Sequence, residues 1–121
     1  MNQTLYHDEI LEYWRHPRFS GRVVSATHKS QLENVLCGDR LSWTMRVANA
    51  TIEQAAFEAD GCALSVAGAS VVAEEVQGKT LKLVRELNFD WLKKRLGINP
   101  SPARSRCLTL GLEAFYAAFE R

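Results

Sequence analysis

The sequence lacks the features of a membrane, secreted or nucleic-acid-binding protein. Its 15 basic and 14 acidic residues leave a net charge of +1, so no general attraction to nucleic acid or to an anionic membrane is expected. No apolar run approaches the roughly 20 residues that span a bilayer, and residues 1–10 lack the apolar stretch of a signal peptide. These absences predict a cytoplasmic protein whose partners include neither membranes nor nucleic acids.

Cysteine is also scarce, because Cys37, Cys62 and Cys107 are the only three. An odd number of widely separated cysteines in a reducing compartment argues against a disulfide framework and for metal or thiol chemistry. No paired C-x-x-C motif is present, so spacing alone leaves a second interpretation open, in which these residues are small buried hydrophobes.

The surroundings of the cysteines favour a shared site. Gly38 separates Cys37 from Asp39 and permits a tight bend that turns both side chains toward one point. If the fold also brings in Cys62 and Cys107, three thiolates and one carboxylate make a site suited to Zn²⁺ or to an iron–sulfur cluster. The three histidines all precede Cys37 in the chain, and we expect surface or capping roles for them.

Two of the thiols have a local reason to ionise. Cys62 opens a predicted helix, where unpaired N–H groups and the helix dipole favour the thiolate. We expect Cys107 at or near the start of the last helix, where the same argument would apply. Arg104 and Arg106 make the segment before Cys107 basic, which predicts a patch that could steer a partner.

The hydrophobic pattern predicts a single α+β domain over residues 1–121, with a small antiparallel sheet covered by helices. Apolar and polar residues alternate from Arg40 to Val47 and less cleanly from Thr51 to Glu58, which predicts a hairpin that turns at Asn49-Ala50. A short strand is expected within residues 22–36. Helices are predicted over residues 5–15, 63–76, 81–87, 90–96 and from Ala103 or Cys107 to Phe119.

Five segments resemble the IscU/SufU/NifU N-terminal family of iron–sulfur cluster assembly scaffolds. They are residues 13–21 (YWRHPRFSG), 34–39 (NVLCGD), 57–65 (FEADGCALS), 69–79 (ASVVAEEVQGK) and 102–107 (PARSRC). The resemblance implies three antiparallel strands packed against helices, with Cys37, Asp39, Cys62 and Cys107 as ligands and Cys107 as the sulfur acceptor. It also implies a cysteine desulfurase as sulfur donor, and apo iron–sulfur acceptor or carrier proteins downstream.

The sequence departs from the family's subgroups in different places. IscU-type members carry a histidine where Arg106 stands, and a guanidinium cannot ligate a metal. SufU-type members usually carry a basic residue there, but they also have an insertion for which residues 62–107 are too short. Two roles therefore stand open: a non-enzymatic scaffold for a transient [2Fe–2S] cluster, or a zinc-bound sulfur acceptor that acts as a sulfurtransferase and stimulates a desulfurase. A third possibility is a purely structural zinc.

Overall fold

A computed structural model of the protein describes residues 3–35 and 38–120, with the backbone alone for residues 3–7. The elements run in the order α1 (Gln3–Arg15), β1 (His28–Asn34), β2 (Asp39–Ala48), β3 (Thr51–Asp60), α2 (Ala63–Val76), α3 (Leu81–Val84), α4 (Phe89–Leu96) and α5 (Pro102–Ala117). The strands form one antiparallel sheet in the order β1-β2-β3. The predicted α+β class is therefore confirmed. Within the described part of the chain, no helix has the length and apolarity needed to cross a membrane.

The hairpin of β2 and β3 follows the predicted alternation only in part. Leu41, Trp43 and Met45 of β2 are buried, as their period-2 spacing requires. In β3 the predicted split of faces is wrong, because both Ile52 and Phe57 are buried. The register shifts between Arg46 and Val47 of β2, and this bulge brings residues an odd number of positions apart to the same face.

Turn chemistry explains the tight link between β2 and β3. Asn49 and Ala50 both have positive φ, 54° and 57°, as a two-residue turn of type I′ requires. Asparagine tolerates this region, whereas alanine adopts it against its preference. The predicted turn at Asn49-Ala50 is confirmed.

Two helices cover the inner face of the sheet and touch each other at small residues. A Cβ added at Gly68 of α2 would lie 2.5 Å from the Leu108 carbonyl oxygen of α5, and one added at Gly111 would lie 2.9 Å from the Ala69 Cα. The two backbones are therefore in direct contact. Trp43 donates from its indole Nε1 to the Gly111 carbonyl at 2.9 Å, which ties the sheet to α5. This packing brings the N-terminal end of α2 close to α5.

The first helix is held to the rest of the protein by a polar cluster. The Tyr13 hydroxyl donates to Glu74 Oε1 at 2.7 Å, and Arg95 donates to the Tyr13 hydroxyl at 2.9 Å. Burial, together with the hydrogen bond to Glu74, raises the Tyr13 pKa above its ordinary value. The cluster joins α1, α2 and α4 and lies apart from the cysteines.

Candidate metal centre

Three of the four predicted ligands meet at one point of the structure. One potential ligand atom from each of Asp39, Cys62 and Cys107 lies within 4.8 Å of the other two. Sulfur ligands at about 2.3 Å from a tetrahedral Zn²⁺ are roughly 3.8 Å apart, so these side chains need to close by only about an ångström to share one ion. No other group of three or more His, Cys, Asp or Glu side chains with this proximity is found among the residues that the structure describes.

Asp39 enters the site from the sheet. It is the first residue of β2, opposite Asn34 of β1, and its side chain points inward with those of Leu41 and Trp43. The residue is 6% exposed. A carboxylate at such a depth needs hydrogen bonds or a cation as partner, which suits a ligand more than a turn residue.

Gly61 lets Asp39 reach that position. A Cβ added at Gly61 would lie 2.7 Å from the Asp39 Cγ and 2.9 Å from its Oδ1. Any side chain there would collide with the carboxylate, so the glycine before Cys62 has a specific function in the site.

Cys62 lies where the sequence predicts, at the N-cap of α2, with an extended backbone (φ −73°, ψ 169°). Its side chain is exposed and makes no capping hydrogen bond. The thiol therefore lies at the positive end of the helix dipole.

Cys107 lies deeper in its helix than expected. Ser101 caps α5 and Pro102 is its first residue, so Cys107 is the sixth residue, beyond the turn in which the dipole acts. The expectation that a helix terminus favours the Cys107 thiolate is therefore wrong, because the helix begins five residues before Cys107, at Pro102. Cys107 is half-buried, whereas Arg104 and Arg106 are exposed.

A fourth residue, Ser65, connects these ligands, although no pattern in the sequence predicts a role for it. The hydroxyl of Ser65 in the first turn of α2 donates to Asp39 Oδ2 at 2.6 Å. It also lies 3.1 Å from the Cys107 carbonyl oxygen and 3.6 Å from the Cys62 sulfur. The available signal was its position three residues after Cys62, on the same face of the helix.

The other thiol and imidazole groups of the chain, a type that binds zinc, belong to Cys37, the remaining predicted ligand, and to three histidines. Cys37 lies outside the described residues, and its role as a ligand stays a prediction. The His28 ring packs against Phe119, with ring centroids 5.0 Å apart, and its Nδ1 is 2.8 Å from the Thr27 hydroxyl. His28 does not belong to the group of Asp39, Cys62 and Cys107.

The chain is similar to known proteins along most of its length. The family described as NifU-like N terminal domain matches residues 5–121. The zinc-dependent sulfurtransferase SufU of Bacillus subtilis is 28% identical over 128 residues, which cover 92% of this chain and 86% of SufU. The iron–sulfur cluster assembly scaffold protein IscU of Aquifex aeolicus is 31% identical over 117 residues, 95% of this chain and 74% of IscU.

A solved structure shares the fold. The N-terminal part of a nitrogen-fixing NifU-like protein from Brucella abortus superposes with a TM-score of 0.78 at 22% identity, over 93% of this chain and 90% of that one. The family match and the IscU and SufU relatives lead to one conclusion. The chain belongs to the NifU-like N-terminal domain family, the family of the IscU, SufU and NifU iron–sulfur cluster scaffolds.

Proposed function

We propose that this protein is an iron–sulfur cluster assembly scaffold that holds a transient [2Fe–2S] cluster as its cargo. The observation that supports this is the grouping of Asp39, Cys62 and Cys107 within 4.8 Å. Cys37 is assigned as the fourth ligand from the sequence, because it is two residues from Asp39 in the chain. Three thiolates and one carboxylate are a donor set that iron accepts.

The exposure of the site suits temporary binding. Cys62 is exposed and Cys107 half-buried, so cargo has access to the sulfurs from solvent. A cluster sealed in the core could not be passed to another protein. The recipients that we propose are apo iron–sulfur proteins or carriers.

Sulfur would arrive on Cys107 from a cysteine desulfurase. The Cys107 thiolate attacks the outer sulfur of the donor's persulfide. The donor's S–S bond breaks, its cysteine leaves as a thiolate, and Cys107 becomes the persulfide, so atoms and electrons balance. Arg104 and Arg106 are exposed on the same segment and can contact acidic groups of the donor.

Zinc is the second candidate, because of Arg106. An arginine cannot replace the ligating histidine of IscU-type members, and the Arg106 side chain is exposed. The SufU relative is named a zinc-dependent sulfurtransferase. The same four side chains satisfy tetrahedral zinc, which would keep their thiols deprotonated. This chain would then accept sulfur as an enzyme-like relay.

Metal analysis separates the two candidates. Protein purified without oxygen and supplied with iron, cysteine and a desulfurase should become brown and hold acid-labile sulfide if it is a scaffold. A colourless protein with one zinc, which raises desulfurase turnover, supports the relay. Protein that binds neither iron nor zinc contradicts both.

The role of Cys107 is tested against a second thiol of the same site. Cys107→Ser and Cys62→Ser should both weaken metal binding, because each removes one ligand. Only Cys107→Ser should abolish the transfer of labelled sulfur from the desulfurase to this chain. If Cys107→Ser still accepts sulfur as the parent does, Cys107 is not the acceptor.

A further inference from the structure

We propose that Ser65 is a positioning residue of the metal centre, which fixes the Asp39 carboxylate and thereby sets the metal affinity. The inference rests on the proposed function, since it takes Asp39 as a ligand. Ser65 is 1% exposed, and its hydroxyl lies within 3.6 Å of atoms from all three gathered ligand residues. No solvent competes for this hydroxyl.

The Ser65 hydroxyl donates its single proton in a hydrogen bond to Asp39. The distance of 2.6 Å to Oδ2 falls in the range of hydrogen bonds from a hydroxyl to a charged oxygen, about 2.5–2.7 Å. The Cys107 carbonyl is farther away at 3.1 Å and, within α5, accepts a helical hydrogen bond besides. The O–H bond of Ser65 therefore points to the Asp39 carboxylate and not to the Cys107 carbonyl.

The carboxylate is held from two sides. Ser65 binds Oδ2, and the bare Cα of Gly61 lies against Oδ1 and Cγ, where an added Cβ would be 2.7 to 2.9 Å away. Ser65 thus engages one of the two carboxylate oxygens. A carboxylate that binds through one oxygen completes a four-coordinate site, whereas a freely rotating one can offer both oxygens and raise the coordination number.

A second buried serine of the same helix provides the control. Ser70 is also buried, and its hydroxyl accepts a hydrogen bond from the Arg18 backbone N–H at 3.3 Å. None of the hydrogen bonds of Ser70 goes to Asp39, Cys62 or Cys107 among the contacts of the described residues. Ser65→Ala and Ser70→Ala should therefore both lose stability, because each removes a buried hydroxyl from α2. Only Ser65→Ala should also change the metal affinity.

The test is the Zn²⁺ affinity of the full chain, measured by competition with a chromophoric chelator. Loss of a group that orients a ligand typically lowers metal affinity 10–100-fold, so Ser65→Ala should weaken Zn²⁺ binding by about 10–100-fold. Ser70→Ala should bind Zn²⁺ as the parent does. Parent-like affinity in Ser65→Ala, or an equal loss in Ser70→Ala, would overturn the proposal.

The Asp39→Ala background tests the route of the effect. Because Ser65 acts through Asp39, Asp39→Ala and the double variant Asp39→Ala/Ser65→Ala should have the same Zn²⁺ affinity. A further loss in the double variant overturns the proposal. Both of these variants lack the Asp39 carboxylate, so neither leaves it buried without a hydrogen-bond donor. They can therefore be compared even if Ser65→Ala alone fails to fold.

Failure of the proposed function has a different result. A parent protein without Zn²⁺ affinity, or an Asp39→Ala variant that binds Zn²⁺ like the parent, contradicts the metal centre itself and removes Ser65's role with it. A parent that binds Zn²⁺, an Asp39→Ala variant that binds weakly and a Ser65→Ala variant that matches the parent contradict the role of Ser65 alone.

Discussion

Replacing Gly61 by alanine tests how closely the carboxylate of Asp39 is packed in the site. Gly61 is not among the glycines with positive φ, so alanine causes no backbone strain there. The new methyl group would lie 2.7 Å from the Asp39 Cγ. Carbon atoms pack at about 3.5–4.0 Å, so the carboxylate must move by about 0.8 Å or more.

A displacement of that size affects both stability and metal binding. Overpacking a close-packed position typically costs about 1–3 kcal/mol, which we expect as a loss in the free energy of unfolding of the metal-free protein. Functional groups must be held within about 0.5 Å of their productive positions, so the moved carboxylate should also bind Zn²⁺ less tightly.

The assays are urea unfolding of the metal-free protein and chelator competition for Zn²⁺. Gly21→Ala is the matched control, because Gly21 has φ of +130° and no atom within 4 Å of an added Cβ. Alanine there should lower stability through backbone strain and leave Zn²⁺ affinity unchanged. A Gly61→Ala protein with the parent's Zn²⁺ affinity would refute the close packing of Asp39 against Gly61.

Two further substitutions test the packing around the site. Gly111→Ala places a methyl group 2.9 Å from the Ala69 Cα, so it should separate α5 from α2, lower the unfolding midpoint in urea and weaken Zn²⁺ binding. Tyr116→Phe removes a hydroxyl that lies 2.6 Å from the carbonyl oxygens of both Val84 and Leu87, at a cost of about 1 kcal/mol. Burial raises the Tyr116 pKa above 10.0, so its contribution is present below pH 10 and is lost as pH rises through the folded-state pKa. The stability of Tyr116→Phe should therefore fall less steeply above pH 10 than that of the parent, and an equal fall would contradict this.

The sequence was sufficient where local pattern decides the structure. The alternation of Leu41, Trp43 and Met45 predicted the central strand, and the Asn49-Ala50 turn ended it where expected. It failed at the bulge in the pairing of β2 with β3, because the register of a strand pair is a property of both strands. It left the start of α5 open between Ala103 and Cys107, and the structure begins that helix at Pro102, after the Ser101 N-cap.

The candidate site depends on contacts that no local pattern contains. The family motifs pointed to Asp39, Cys62 and Cys107, but their proximity requires the backbone contact of α2 with α5 at Gly68 and Gly111. Small residues in a helix do not reveal which other helix they contact. The donor role of Ser65 was missed for the same reason, since its partner Asp39 lies 26 positions away.

The most direct test of the metal centre is X-ray absorption at the zinc edge of zinc-loaded protein. The proposed centre requires three sulfur ligands at about 2.3 Å and one oxygen at about 2.0–2.2 Å. Fewer than three sulfurs, or the scattering pattern of a histidine ring, would contradict ligation by Cys37, Asp39, Cys62 and Cys107.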